Sequence, residues 1–444
     1  MKIQQIEILN FKGFGKKTTV SFATNMTVVI GNNTAGKTTL LQAVQIGLGA
    51  FLQSMQSLPG GSAFRRNFAK SDRFLKYNAE KRDYIPNEEY PRIDIAANIT
   101  RTRKREDGTF EFSTHPIHWY REMRNGNTTH TKACAGELMQ AVSEMEHQRA
   151  TADDNAVYPL LLSFGTNRID AQFRAAKKTK ERLQRVEKAY KAALHDKVDF
   201  ASPIEWLKNY DKQLRDGREF EGNRTAFFEA LEKAIPALTE VDFDNGEIEA
   251  IVTVRGRQPE RHHYFYMSDG LKAMINIVSE IAYRCIQLNG FLKADCIRKT
   301  PGVVLIDEVD LYLHPNWQRH ILNDLQEAFP MIQFIVSTHS PFIVQSLQAN
   351  QLVSFDADVN TSGSPYKDSL EDIAEERMGM GEQLRSRRFN EMIAKAQEYY
   401  ALVKEGKENG QKAGELKEQL DKIETEYSDD PAYVALLRAE RGYK

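Results

Sequence analysis

Residues 31–38, GNNTAGKT, constrain the chain more than any other stretch. They fit the pattern G-x-x-x-x-G-K-[ST], with Gly31, Gly36, Lys37 and Thr38 in its fixed places. The pattern works only between a strand and a helix, and the flanks predict both. Met26-Thr27-Val28-Val29-Ile30 reads as a buried strand, and Leu40-Leu41-Gln42-Ala43-Val44 begins a helix. Glycines let such a loop turn tightly enough for the backbone N–H groups of Asn32, Asn33, Thr34, Ala35, Gly36 and the following Lys37, Thr38 and Thr39 to surround phosphates. Lys37 adds a positive charge for the outer phosphates, and the Thr38 hydroxyl can hold Mg²⁺. A nucleoside triphosphate such as ATP is the expected ligand.

Two further strands complete a nucleotide site. Val303-Val304-Leu305-Ile306 ends in Asp307-Glu308, a continuous apolar strand followed by two carboxylates. Here Asp307 is expected to orient Mg²⁺ or its water, and Glu308 to polarise the attacking water. The run from Ile332 to Val336 ends in Ser337-Thr338-His339-Ser340, which places His339 where it could sense a γ-phosphate. Between these motifs, Ser268-Asp269-Gly270 opens an amphipathic helix with Leu271, Met274, Ile275, Val278, Ile281 and Ala282 at helical spacing. Ser268 is placed to cap that helix, whose N-terminus can also accept an anion.

Composition limits the partners. A chain of 444 residues predicts two or three structural units. No run of about 18 apolar residues occurs, and the opening MKIQQIEILNF alternates like a strand, so a soluble, cytoplasmic chain is expected. Cys134, Cys285 and Cys296 show no C-x-x-C pairing and are expected to be reduced thiols. With 60 basic and 62 acidic residues the net charge is −2, so any nucleic-acid surface must be a local patch. Arg65, Arg66, Lys70, Arg73, Lys76, Lys81 and Arg82, interleaved with Phe68, Phe74 and Tyr77, form one. Arg101 to Arg105 holds a second, and Arg174, Lys177, Lys178, Lys180, Arg182 and Arg185 a third. Each reads first as a solvated face; the interleaved aromatics make the first a strand-binding candidate.

Taken in order, GNNTAGKT, MSDG, VVLIDE, DLYLHP and STHS resemble the ABC-type ATPase heads of the SMC, Rad50, RecF and OLD group. The opening IEILNFKGFG is similar to that group's first strand and turn. The resemblance implies an α/β fold, an ABC-type P-loop NTPase head with a mixed sheet and a helical insertion, plus a short C-terminal helical tail. It implies a homodimer in which Ser268 and Gly270 cap the ATP held by the other copy. Asp310 falls in the D-loop, His339 at the switch histidine, and Lys12 where the group has a basic residue near the nucleotide. Leu271 stands where the signature usually has Gln. The Q-loop glutamine is missing from LLLSFGTNR, where Asn167 or Arg168 are the substitutes at hand.

The rest of the chain narrows the group. The heptads of long coiled-coil arms are absent from residues 41–267, which hold mixed strands, loops and one basic helical stretch near Ala171 to Leu194. About 105 residues follow His339, too few for a nuclease domain of the OLD kind, and Asp356-Ala-Asp358 reads as surface acids. Residues 1–355 are expected to form the ATPase head, with nucleotide lobes at 1–60 and 260–355 and an insertion at 61–259; residues 356–444 would form a helical region. In that region Phe389, Met392, Ile393, Ala396, Tyr400 and Val403 make one apolar face, and Leu416, Leu420, Ile423 and Tyr427 another. A compact head with such a tail resembles the Septu anti-phage ATPases, which implies an HNH endonuclease partner, docking through the tail, and action on DNA through the complex. A self-sufficient RecF-like DNA-repair ATPase is the alternative.

Overall fold

In the computed structural model β3 (Met26–Ile30) is buried at every residue, as are β8 (Leu160–Phe164), β12 (Gly302–Ile306) and β13 (Ile332–Ser337). With β14 (Leu352–Ser354) they form one parallel sheet in the order β14-β3-β13-β12-β8. Burial on both faces is the condition of a parallel sheet, and it explains why these strands read as unbroken apolar runs. Three of them carry the P-loop, the Asp307-Glu308 pair and the Thr338-His339 turn at their C-terminal ends, where ligands gather in open α/β sheets.

The structure describes residues 1–60, 62–64, 66–105, 107–124, 132–151, 156–166, 183–196, 199–253, 256–356, 359, 361–379, 394–395, 398–399, 401–403, 406 and 410–426. Arg65, the basic residues 174–182, Asn167, Arg168, Asp358, the apolar positions 389–400 and Tyr427 lie outside them.

A second, antiparallel sheet runs β2 (Thr18–Ser21), β1 (Lys2–Leu9), β6 (Arg92–Lys104), β7 (Phe110–Glu122). Thus β6, β7 and β8, all from residues 61–259, complete sheets begun by β1 and β3. Helix α1 (Lys37–Ser54) packs against β6, β7 and α2 (Gly136–Ala150). Close approach explains Gly49 inside α1. A Cβ on Gly49 would lie 2.6 Å from the Arg66 carbonyl oxygen and 2.8 Å from Arg121 Nη1. Arg121 is fully buried and donates to the carbonyls of Ile46 and Arg66 and to Asn67, which fastens β7 and residues 66–67 to the helix.

Helix α6 (Asp269–Asn289) is buried on all sides from Ala273 onward, so it is the core helix of its flank. It packs against β8, α3 (Arg185–Tyr190), α4 (Ala201–Arg215) and α5 (Asn223–Ala234). A buried pair on α6, Arg284 and Glu280 at 2.7 Å, also reaches the chain beside it. Arg284 donates to the carbonyls of Ala189 and Lys191, and Glu280 accepts from the Asp199 N–H at 2.8 Å. A three-stranded sheet, β11 (Glu260–His263), β10 (Glu247–Val252), β9 (Leu238–Asp244), and a hairpin of β4 (Leu75–Asn78) and β5 (Asp83–Pro86) complete the strands. Short helices α7 (Pro315–Gln318), α8 (Ile321–Ala328) and α9 (Pro341–Gln345) follow β12 and β13.

The chain divides into two compact units, Met1–Ile373 and Ala374–Lys444, with residues 356–373 in the first. In the second unit Gln411–Glu426 is a helix in which Leu416 and Leu420 are buried, and Lys412 pairs with Glu398 at 2.6 Å.

Candidate nucleotide site

The loop between β3 and α1 has the backbone a phosphate cradle needs. Gly31, Thr34 and Gly36 have φ of 149°, 73° and 109°, conformations that glycine adopts without strain and Thr34 does not. Lys37 opens α1 and is buried; its Nζ donates to the carbonyls of Gly31 at 2.7 Å and Asn32 at 3.1 Å. Burial lowers its pKa from the ordinary lysine value, an effect opposed by the carboxylates of Asp307, Asp356, Glu308 and Asp310. The ammonium thus sits inside the loop, with carboxylates around it.

The two other strand ends meet this loop. Thr38 Oγ1 donates to Asp307 Oδ2 at 2.9 Å, and the Ser337 hydroxyl donates to Asp307 Oδ1 while accepting from the Glu308 N–H at 2.8 Å. β12 is therefore fixed on one side by α1 and on the other by β13. Glu308 has φ 50°, which turns the chain sharply out of β12 directly after Asp307. One turn on, Thr338 Oγ1 donates to Asp310 Oδ1 at 2.6 Å, tying Asp310 to the residue before His339. His339 itself is exposed.

Ser268 caps α6 by accepting from the Leu271 N–H at 3.4 Å and is exposed. Gly270 lies close beneath the Asp310–Pro315 stretch, where a Cβ would come within 2.7 Å of the Tyr312 carbonyl oxygen. Among the described residues no hydrogen bond or ion pair joins Ser268 or Gly270 to residues 31–39. The structure thus brings together Lys37, Thr38, Asp307 and Glu308, and places Gly270 beside Tyr312, with Ser268 at the N-terminus of the same helix. Lys12 bonds Gln42 of α1 and pairs with Asp72 at 3.4 Å.

The first basic patch is split by folding. Phe68 is buried and Arg66 turns inward, its Nε donating to Gln45 at 3.2 Å, while Arg73 lies over the Tyr90 ring. Among the described residues of this patch, the β4–β5 hairpin keeps exposed aromatics beside exposed cations, with Tyr77 and Tyr84 in edge contact near Lys76, Lys81 and Arg82. The sequence reads Asp356 as a surface acid, yet it bonds the P-loop: the Asn32 N–H donates to Asp356 Oδ2 at 2.9 Å. Sequence reasoning also missed a cavity of about 170 Å³ bounded by Thr38, Gln42, Gln45, Ser163, Asp196 and Asp307. Neither feature has a local signal, because each joins residues from distant parts of the chain.

The AAA domain profile matches residues 5–239, more than half of the chain. The chain belongs to the AAA domain family. A second AAA domain profile matches residues 145–345, so the two together span β1 to α9. Over nearly its whole length the chain is similar to the retron Vc95 probable ATPase of Vibrio cholerae serotype O1 biovar El Tor, at 24% identity over 94% of this chain and 86% of that protein. It is similar to the Septu protein PtuA of Bacillus thuringiensis at 34% identity over 134 residues, 27% of this chain and 33% of PtuA. Among solved structures, an SmcHead bound to the C-winged helix domain of ScpA aligns over 80% of this chain and 94% of its own, with TM-score 0.43 and 18% identity. No helix among the described residues is long and apolar enough to cross a membrane.

Proposed function

We propose that this AAA-family chain is the ATP-binding and hydrolysing subunit of a bacterial anti-phage defence complex, and that it controls a partner HNH nuclease acting on DNA. The observation that carries the ATPase part is the chain of contacts from Thr38 to Asp307 to Ser337 to Glu308, which gathers three strand ends at the P-loop. Similarity to a Septu protein and to retron probable ATPases supports the defence part.

In this reading the amides of residues 32–39 and Lys37 hold the phosphates, with Lys37 exchanging its loop carbonyls for phosphate oxygens. The Thr38 hydroxyl and Asp307 carboxylate are hard oxygen donors already in contact, and that donor set fits Mg²⁺. Bound there, the ion would neutralise charge on the outer phosphates. Glu308 accepts the proton of the attacking water, and His339, on the adjacent turn, contacts the γ-phosphate. Ser268 and Gly270 complete the site of a second copy, so ATP joins two protomers and dimer geometry follows nucleotide state. Lys12 stays a candidate nucleotide contact through Gln42. The C-terminal unit is the docking surface for the nuclease.

Phage challenge of cells carrying the chain together with an HNH nuclease, taken from beside its gene if one is encoded there, tests the whole reading. Lys37→Ala is expected to abolish both ATP binding and protection; full protection by a variant that cannot bind ATP would overturn it.

A further inference from the structure

The cavity beside the P-loop has two carboxylates on its wall, Asp307 from β12 and Asp196 from the turn after α3. Asp196 is held there from several directions. Gln45 Nε2 donates to Asp196 Oδ1 at 2.6 Å and to Ser163 Oγ at 2.7 Å, and Ser163 Oγ donates to the same Asp196 oxygen at 3.2 Å. Both Gln45 and Ser163 are buried, and Arg66 fixes the Gln45 amide by donating to its oxygen. The backbone is held as well. The Ser163 N–H donates to the Ala193 carbonyl at 2.9 Å, and Arg284 and Glu280 grip residues 189, 191 and 199 on either side. Gly165, directly after β8, leaves the room this needs, since a Cβ there would lie 2.7 Å from Asp196 Cβ.

Both donors go to Oδ1, and no described residue donates to Oδ2. A carboxylate so fixed, on the wall shared with Thr38 and Asp307, adds a second negative charge to the metal side of the site. We propose that Asp196 is a positioning residue for the ATP-bound divalent cation, acting through a water that the cation would carry. The inference rests on the nucleotide site described above. It also accounts for a β8 loop without the expected glutamine: the polar group facing this cavity comes from residue 196, and Gln45 and Ser163 aim it.

The test is Mn²⁺ binding to the full-length chain with a non-hydrolysable ATP analogue, read by electron paramagnetic resonance of free Mn²⁺. Asp196→Asn keeps an acceptor for Gln45 and Ser163 and removes only the charge. It is expected to weaken Mn²⁺ by about tenfold, the scale of a lost outer-shell partner, with analogue binding in metal-free buffer unchanged. Ser163→Ala, which removes one of the two donors, is expected to give a smaller loss in the same direction. Wild-type Mn²⁺ affinity in a folded Asp196→Asn chain would overturn the inference, as would equal loss of metal-free analogue binding. Asp307→Asn is the control. If it weakens Mn²⁺ and Asp196→Asn does not, Asp196 alone is wrong; if neither does, the nucleotide-site reading falls too.

Discussion

The backbone N–H of Asn32 donates to the carboxylate of Asp356 across 2.9 Å, although 324 residues separate them. The contact puts a negative group on one amide of a loop built to receive negative phosphates. Phe355 next to it packs on Phe14, with ring centroids 5.4 Å apart, and the Phe14 ring closes on Gly36. Residues 355–356 therefore brace the P-loop from β14, and the carboxylate competes with the ligand for Asn32.

That competition predicts tighter ATP binding by Asp356→Asn. Loss of one partly exposed charge near the phosphates corresponds to roughly a fivefold lower Kd, larger at low salt. Calorimetric titration at two ionic strengths checks it. Equal or weaker binding would mean that Asp356 serves the bound state, by supporting Lys37 or the ligand itself.

Glu308→Gln separates binding from turnover. The Ser337 hydroxyl holds the Glu308 backbone N–H, so the amide variant keeps the turn and loses the proton acceptor. ATP affinity is expected within about threefold of wild type, and kcat to fall by at least about a hundredfold, the range for losing a general base. Single-turnover hydrolysis measures this, and near-normal kcat would move the role to another residue.

Gly270→Ala addresses pairing of two copies. The added methyl would press on the Tyr312 carbonyl oxygen, a backbone atom, in the stretch that Thr338 anchors through Asp310. The shift falls on the surface that carries Ser268. In the Glu308→Gln background, ATP-dependent dimerisation is expected to weaken about tenfold while binding of ATP to one copy is retained; light scattering with and without ATP reads it. A dimer of unchanged affinity would remove Gly270 from the interface.

How far the site was legible follows from where its residues lie in the chain. Asp307 and Glu308 sit at the end of an apolar run that must be a buried strand, and Lys37 and Thr38 close the glycine-bounded loop that follows another, so one-dimensional pattern made them legible. Ser268 was legible for the same reason, as a cap before helical spacing. Asp356 and Asp196 were not: each acts through a partner more than a hundred residues away, and a lone acid in a loop looks like solvated surface. The middle of the chain was less legible for another reason. Residues 61–259 lack the long apolar runs of β3 and β12, because β6 and β7 alternate as half-buried antiparallel strands do, and β8 alone reads as parallel.

Gly302 begins β12, and a Cβ there would meet the Leu160 carbonyl oxygen at 2.3 Å. The clash is with the backbone of the neighbouring strand, so no rotamer relieves it. Gly302→Ala is expected to cost about 1–3 kcal/mol through overpacking and to lower Tm by several degrees. Asp307 lies at the other end of the same strand, so kcat is expected to fall with stability. A thermal scan showing wild-type Tm would contradict the packing of β12 on β8.

Cys285 and Cys296 are buried free thiols, and burial pushes the first well above the ordinary value and the second up to about 12. At pH 8 roughly one Cys296 in ten thousand is then a thiolate, and the thiolate is the form that reacts. Native protein is expected to label at neither residue over hours with a thiol reagent at pH 8, and at both once unfolded in guanidinium. The sign for stability follows from the same shift. The folded pKa of Cys296 is raised above the reference value of 9.0, so its contribution is fully present below about pH 9 and is lost as pH rises toward 12. Tyr158 and Tyr264, each raised to about 12 mainly by burial, add losses over the window from 10 to 12. Denaturant midpoints should therefore fall between pH 9 and 12. Replacing Cys296 by Ala should flatten the part of that fall below pH 10, and an unchanged slope there would show that the Cys296 thiol does not ionise on unfolding.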